Sequence, residues 1–259
     1  KTNVLDMGDK FGRNSGFTAI YTFEIADGFV PDNLSAVVER AELYTATING
    51  HEIQPEQGEW WLDRSFAVFN IGDFIQKGEN TLTLNTQPMH IHAEIEPVYL
   101  TGDFGVAPKK ERFKMVSPKA LEIGPWKGQQ APFYSHSVAY SKTFEADGDQ
   151  HYKVKLNEWN GTVARVKVNE EMAGIIGWKP YELDITGWVD QDENEVTIEV
   201  VGSFKNLLGP HHGDFTEGLV SPWHYYSVSE NQPAGHQYDL DDYGLFEDFE
   251  VVRYQQITD

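Results

Sequence analysis

Alternation of apolar and polar side chains runs through most of this chain and predicts β-strands. The clearest segments are rich in β-branched residues and change polarity at every second position, as half-buried strands do. Turn-forming pairs such as Asn49-Gly50 and Asn160-Gly161 bound them. Helical periodicity is limited to about one turn near 71–76, so the pattern predicts an all-β fold. The strand-like segments are 35–48, 80–84, 151–156, 162–168 and 195–201.

The same pattern occurs twice along the chain. Residues 66–84 read FAVFNIGDFIQKGENTLTL, and residues 180–198 read PYELDITGWVDQDENEVTI, with Asn194 114 positions after Asn80. Upstream, TATING at 45–50 corresponds to RVKVNE at 165–170 at a spacing of 120, so the second copy is six residues shorter in between. A repeat of this length is a whole domain.

The repeat predicts two tandem antiparallel β-sandwich domains of the jelly-roll kind. The first is expected over 1–105, and the second, with a long loop-rich C-terminal part, over 106–259. Within this division residues 106–119 are interpreted as a charged connector. Two aligned pairs, Ile71 with Phe74 and Ile185 with Trp188, are expected to plug the ends of the two sandwiches.

Charge and composition exclude several function classes. The 259 residues include 20 basic and 41 acidic side chains, for a net charge of −21. Such a surface repels phosphate backbones and anionic lipids, so neither nucleic acid nor a membrane is expected as a partner. The absence of cysteine excludes disulfides, thiolate metal sites and cysteine nucleophiles. No apolar run approaches the roughly 18 residues that span a bilayer.

Motifs for catalysis are missing from the pattern. The chain has no GxSxG elbow and no GKS or GKT phosphate loop. A glycosidase needs two carboxylates about 5–9 Å apart across a cleft, and with so many acidic residues the sequence selects no pair. No catalytic residue is therefore assigned, and the chain alone is not expected to be an enzyme.

Five segments, in order, carry a family resemblance. The segments are EPVYLTGDFGV (96–106), PFYSHSVAY (132–140), GWKPYELDIT (177–186), NLLGPHHG (206–213) and YGLFEDFEVV (243–252). They are similar to the C-terminal β-sandwich region of α-L-rhamnosidase-like bacterial glycoside hydrolases and to the sugar-binding domains of family 2 glycoside hydrolases. One departure from the family pattern is His136, where a glycine is expected.

That resemblance implies a galactose-binding-like fold attached to a catalytic barrel that this chain does not contain. The family's catalytic acids would lie outside the chain. The chain is then expected to be a fragment of a secreted, cell-surface or periplasmic bacterial enzyme that degrades polysaccharides. Its partners would be a polysaccharide or oligosaccharide and the catalytic domain of the parent enzyme. Two alternatives stay open: a pair of sandwiches that only buttresses the catalytic domain, and a fragment that contributes loop residues to a glycosidase active site.

Aromatic residues in the Gly- and Pro-rich loops of the second copy are the candidate sugar platforms. Pyranose rings present apolar C–H faces on which an indole or phenol can stack, while polar side chains contact the hydroxyls. The same loop aromatics could instead cap the sandwich. The carbohydrate-binding candidates are Trp126, Tyr134, Trp178, Asn206, His211, His212 and Trp223.

A metal site is a further possibility without an assigned position. The adjacent His211 and His212 would need a third ligand such as Asp214 or His224 to hold a transition metal. The resemblance also implies a possible structural Ca²⁺, for which carboxylate oxygens are suitable ligands. Two acidic clusters could supply them, namely Asp190/Asp192/Glu193 and Asp239/Asp241/Asp242.

Overall fold

The computed structural model describes residues 11–110, 112–147, 150–209, 211 and 237–254. Over these residues the chain is nearly all β, and helix is limited to short 3₁₀ turns and one α-helical turn at Lys205–Leu208. The predicted all-β class is confirmed. No helix in these ranges is long and apolar enough to cross a membrane. The chain divides into two compact units, Lys1–Pro118 and Lys119–Asp259.

The first unit packs two sheets around one core. Its strands are β1 (Phe17–Ile25), β2 (Leu34–Glu39), β3 (Thr45–Ile48), β4 (His51–Ile53), β5 (Trp60–Trp61), β6 (Asp63–Asn70), β7 (Gly78–Thr86), β8 (Tyr99–Gly102), β9 (Gly105–Lys109) and β10 (Arg112–Val116). The sheet orders are β4-β3-β7-β1-β10-β9 and β5-β6-β2-β8. Neighbouring strands are antiparallel except β1 and β10, which are parallel. Buried residues of both sheets, such as Leu82 and Phe69, meet in the core.

The second unit repeats this plan with fewer strands in its sheets. Its strands are β11 (Ser137–Ala146), β12 (His151–Lys155), β13 (Trp159–Asn160), β14 (Val163–Val168), β15 (Glu171–Ile176), β16 (Glu182–Asp184), β17 (Asp192–Val201), β18 (Gly244–Leu245) and β19 (Glu250–Tyr254). They form sheets in the orders β11-β17-β14-β15, β16-β12-β19 and β13-β18. The core lies between the first two, where residues such as Ile198 and Val154 are fully buried.

The sequence repeat is a structural repeat. Strands β3, β4, β6 and β7 correspond to β14, β15, β16 and β17. The 3₁₀ turns at Gly72–Phe74 and Thr186–Trp188 lie 114 positions apart, at the spacing of the aligned asparagines. The residue before each turn is fully buried and donates its backbone N–H across the unit, Ile71 to Leu34 O at 3.0 Å and Ile185 to Tyr152 O at 2.9 Å.

Two expectations from the pattern are wrong. Residues 106–119 are not a connector, because β9 and β10 pair with each other and β10 extends the sheet beside β1, so the first unit continues to Pro118. Their charged side chains suit strands near a sheet edge. The prediction for the sandwich ends is wrong for Phe74 and Trp188, which are 37% and 38% exposed, whereas their partners Ile71 and Ile185 are fully buried.

A buried asparagine organises the corner of each unit. Asn80 is fully buried and makes four side-chain hydrogen bonds. Its Oδ1 accepts from Gln76 N and from Asn49 Nδ2, both at 2.8 Å, and its Nδ2 donates to the carbonyls of Gln76 and Gly78 at 2.7 and 3.1 Å. Asn49 in turn accepts from Thr81 N at 2.9 Å. The amide thus joins the β3–β4 turn to the start of β7.

The second unit repeats this arrangement bond for bond. Asn194 Oδ1 accepts from Asp190 N and Asn169 Nδ2 at 2.8 Å, and its Nδ2 donates to the carbonyls of Asp190 and Asp192 at 2.9 and 3.1 Å. Asn169 and its counterpart Asn49 both adopt the left-handed backbone conformation, with φ of 50° and 49°. Asparagine tolerates that conformation better than other non-glycine residues.

Strand β11 lies at the edge of its sheet. Lys142 lies in the middle of it, two positions from the buried Tyr140, so its side chain leaves the strand on the core side. The ammonium group donates to Asp248 Oδ2 at 2.7 Å and to the carbonyl oxygen of Phe249, and it lies 4.2 Å from the centroid of the Phe249 ring.

Removing either buried amide should destabilise the protein. Asn80→Ala and Asn194→Ala each leave a backbone N–H and an asparagine side chain without their acceptor, so we expect a loss of about 2–4 kcal/mol in unfolding free energy. Urea denaturation measures this. The control Asn85→Ala, which removes a single bond to Thr18 Oγ1 at the surface, should cost no more than about 0.5 kcal/mol. Equal losses in all three variants would contradict the role given to the buried amides.

Candidate functional site

Trp126 is a core residue, which corrects its prediction as a sugar platform. Its side chain is 1% exposed, and its Nε1 donates to the Tyr140 hydroxyl at 2.8 Å. Gly244 lies against the indole so closely that a Cβ there would be 2.8 Å from Nε1. No ring face is accessible, so Trp126 fills the end of the second unit's core.

Asn206 is also structural, contrary to the prediction of a hydroxyl contact. It is 2% exposed, its Nδ2 donates to Asp241 O, and its Oδ1 accepts from Asp241 N, each at 2.9 Å. The pair of bonds ties the helical turn Lys205–Leu208 to the strand-like segment before β18. His211 lies beside this pair of hydrogen bonds. Its Nε2 is 2.6 Å from Asn206 O, and its ring stacks on that of Tyr238 with the centroids 5.3 Å apart.

The other two candidates in this segment, His212 and Trp223, lie outside the described residues. The described residues on either side of 212–236 are connected, since Asp239 N donates to His211 O at 2.7 Å. Phe133 packs against both rings there, 5.5 Å from His211 and 6.2 Å from Tyr238.

The acidic cluster at 239–242 is engaged by lysines. Lys205 Nζ lies 3.4 Å from Asp239 and 3.5 Å from Asp241, and Lys127 Nζ lies 3.0 Å from Asp242. Carboxylates paired in this way are not converging on one cation. Within the part of the chain that the structure describes, no three His, Asp or Glu residues are grouped so that they could hold a metal ion.

The ring of Tyr134 is partly accessible to a ligand from solvent. Its ring is 41% exposed, its hydroxyl donates to Ser137 O at 3.0 Å, and its edge packs on Trp126 at 5.8 Å. The neighbouring His136 does not need the glycine that the family resemblance implied, because its φ is negative. Its carbonyl accepts from Gly202 N at 2.8 Å, which holds the strand entry in place.

Trp178 is the candidate that the structure places in solvent. It lies between β15 and β16 and is 78% exposed, more than any other large apolar side chain among the described residues. The loop that carries Trp178 is held in place through Tyr181. The Tyr181 ring packs edge-on against Trp159 at 5.4 Å, and the Tyr181 carbonyl accepts a hydrogen bond from Leu156 N at 2.9 Å.

Two further apolar side chains are exposed on β15, the strand that precedes Trp178 in the chain. Met172 and Ile175 are 50% and 54% exposed. Ile175 is paired with Arg165 on β14, and Arg165 with Glu199 on β17. The guanidinium lies 3.2 Å from the Glu199 carboxylate. The Ser137 hydroxyl, which donates to that carboxylate, and the Arg165 charge hold the pKa of Glu199 below its usual value. Apolar and charged side chains therefore lie in one row across this sheet.

The first unit has an aromatic surface that the candidate residues do not include. Trp61 packs against Tyr99 at 5.4 Å and Phe66 at 6.4 Å, while the adjacent Trp60 is 53% exposed. The signal for this surface is the Trp60-Trp61 pair, which stands in the segment that is six residues longer in the first copy.

Three carboxylates of the first unit influence one another. Partial burial, a hydrogen bond with the Glu94 side chain and the charges of Glu39 and Glu94 raise the pKa of Glu96. The Tyr21 and Tyr44 hydroxyls donate to the carbonyls of Glu96 and Glu94 at 2.7 and 2.8 Å. Glu94 and Glu96 are both exposed on the surface, so the trio lacks the shielded setting of a catalytic acid–base pair.

Comparisons with known proteins give distant likenesses. No family model matches the chain, and no curated protein matches it. Among solved structures, a rhamnosidase from Novosphingobium sp. PP1Y is 15% identical with a TM-score of 0.37, over 95% of this chain and 23% of that one. A Streptomyces avermitilis α-L-rhamnosidase complexed with L-rhamnose is 13% identical with a TM-score of 0.32, over 75% and 22%. A Pleurotus ostreatus lectin is 12% identical with a TM-score of 0.23, over 75% and 71%.

The chain spans less than a quarter of the length of the two rhamnosidases. Every TM-score lies below 0.5, so these likenesses assign no function to the chain.

The raised pKa of Glu96 gives a pH prediction. Because the folded protein holds this proton more tightly than the unfolded chain, the associated stability is present below the unfolded pKa of about 4.3 and is lost as the pH rises through the folded pKa. Glu96→Gln should flatten this fall, so the variant should gain stability relative to the parent between pH 4 and pH 7. Urea midpoints across that range measure it, with the exposed Glu79→Gln as the control. An unchanged pH profile would refute the interaction.

Proposed function

We propose that this chain is a non-catalytic, carbohydrate-binding accessory region of a polysaccharide-degrading glycoside hydrolase, and that Trp178 is its stacking platform. The observation that carries the proposal is the 78% exposure of the indole on a braced loop. A large apolar ring held in water has no packing role in its own unit, and it presents the flat apolar face that a pyranose covers.

The magnitude of such a contact is informative. A sugar ring covering one indole face removes about 100 Å² of apolar surface from water, worth about 2.5 kcal/mol. Millimolar to micromolar affinity requires about 4–8 kcal/mol. The rest must come from hydrogen bonds to hydroxyls, and the Arg165–Glu199 pair, in the row next to Ile175, is the charged group suited to supply them.

A second candidate function rests on the same surface. Met172 and Ile175 extend the apolar surface along β15, which is at the edge of its sheet. Exposed apolar edge strands are typical of protein contacts. On this alternative the row would dock on the catalytic domain of the parent enzyme and hold no sugar.

Sugar binding should depend on Trp178. We expect Trp178→Ala to weaken binding about ten- to hundredfold, in line with the loss of one stacking contact of about 2.5 kcal/mol. Glycan-array screening followed by calorimetry on the best ligand measures this. Ile175→Ser is the matched control. It also removes an exposed apolar side chain of this surface, but isoleucine has no ring on which a sugar could stack.

The two candidate functions separate in this experiment. Equal losses in Trp178→Ala and Ile175→Ser would point to general apolar contact rather than stacking. Failure of the parent chain to bind any rhamnose-, galactose- or uronate-containing glycan would overturn the carbohydrate proposal and favour the docking alternative.

The chain alone is expected to hydrolyse no glycoside, because its catalytic acids are proposed to lie in another domain. Incubation with a panel of aryl glycosides and with plant and algal polysaccharides tests this. Reproducible turnover that a single Asp or Glu substitution abolishes would show that the chain is itself an enzyme.

A further inference from the structure

The two units each display an exposed tryptophan in the connection between corresponding strands. In the first unit the chain passes from β4 to β6 through residues 54–62, and in the second it passes from the equivalent β15 to the equivalent β16 through residues 177–181. Trp60 lies in the first connection at 53% exposure, and Trp178 in the second at 78%. The six extra residues of the first copy fall between positions 50 and 66, the part of the chain that also carries the two-residue strand β5.

Each exposed tryptophan has an anchored aromatic neighbour in the same connection. Trp61 packs on Tyr99 at 5.4 Å and on Phe66 at 6.4 Å. Beneath this cluster Val37 is fully buried, although it is not part of the main core. In the second unit Tyr181 packs on Trp159 at the same distance of 5.4 Å. Both connections therefore combine one ring held by the fold with one ring left in solvent.

The turn after Trp60 is held in an uncommon backbone conformation. Leu62 has φ of 62° and is 42% exposed, although the left-handed region costs a leucine roughly 1–2 kcal/mol. Asp63 Oδ1 fixes the turn by accepting from both the backbone N–H and the hydroxyl of Ser65 at 2.8 Å. The chain therefore keeps an exposed apolar side chain at a position where glycine would fit without strain.

We infer that Trp60 is a second carbohydrate platform, so that the chain holds one pyranose-binding surface on each unit. This inference rests on the proposed function, because it assigns the same chemistry to the equivalent connection. Trp60 supplies the ring face and Leu62 widens the apolar surface. The exposed Glu59, Asp63 and Arg64 flank the indole and supply groups that can hydrogen-bond to hydroxyls.

The charge of the surface selects a neutral glycan. Two carboxylates and one guanidinium flank Trp60, and the whole chain carries a net charge of −21. Uronate chains would be repelled over distances of about a Debye length, whereas neutral sugars would not. The ligand class is therefore a neutral pyranose oligosaccharide.

Indole NMR can observe the two surfaces separately. The chain has seven tryptophans, so labelling with ¹⁵N at Nε1 gives at most seven indole signals, and Trp60→Phe and Trp178→Phe assign the two of interest. The probes are L-rhamnose, xylotriose and galactotriose, with trigalacturonate as the anionic comparison. We expect a neutral probe to shift both assigned signals, calorimetry to give two sites per chain, and Trp60→Ala to leave one.

The outcomes distinguish this inference from the proposed function. A shift of the Trp178 signal with an unmoved Trp60 signal would overturn the second platform and leave the proposed function in place. A shift of Trp60 alone would overturn the role of Trp178. If neither signal responds to any sugar, both are overturned and a protein-docking surface is favoured. Preferential shifts with trigalacturonate would contradict the assignment to neutral glycans.

Discussion

The rest of each unit depends on one buried amide. Asn80 and Asn194 have no access to solvent, so every donor and acceptor of their side chains must be satisfied inside the protein, and each is satisfied by the same set of groups. A carboxylate could not donate and an apolar side chain could neither donate nor accept, whereas this amide does both and connects the hairpin turn to the segment that follows the 3₁₀ turn and to the start of the long strand. The two copies share this solution while most other positions differ.

This constraint also determines where the aromatic residues are displayed. The amide fixes the turn that precedes β4 or β15, and the 3₁₀ turn next to it follows β6 or β16. The strands at both ends of the connection are therefore held in fixed positions in both units. The chain between the aligned positions 50 and 66 is six residues longer than its counterpart without disturbing the core, since the additional length accommodates the edge strand β5.

Most of the fold could be predicted from the sequence, because alternation and the aligned asparagines depend on local geometry. The first unit's boundary could not, since the side chains of β9 and β10 are charged in the manner of a linker and only pairing beside β1 makes them strands. The exposure of the Phe74 and Trp188 side chains could not be predicted from the sequence either. An aromatic residue at the end of a 3₁₀ turn follows the apolar pattern even when its ring lies on the rim; the Phe74 ring, for example, is 5.4 Å from that of His51.

The candidate site could be predicted only in part, for a physical reason. A tryptophan in a Gly- and Pro-rich segment has the same local sequence whether a core closes over it, as over Trp126, or the solvent surrounds it, as with Trp178. Long-range packing decides between them. Trp60 carries a signal of another kind, the difference in length between two copies, which marks where one unit has an additional element.

Lys142 has a consequence for the addition of a foreign strand to the second unit. Among the edge strands that the structure describes, β11 is the longest, and it offers ten residues of extended backbone. A strand from another molecule could extend the sheet there. A lysine directed inward from the middle of this strand, with its charge held by Asp248 and the Phe249 carbonyl, disfavours such an addition, because a charged side chain interrupts the apolar face that a continuous sheet would present to the core. The contact that places an ammonium group against the Phe249 ring is thus also a device against strand addition at the longest sheet edge among the described residues.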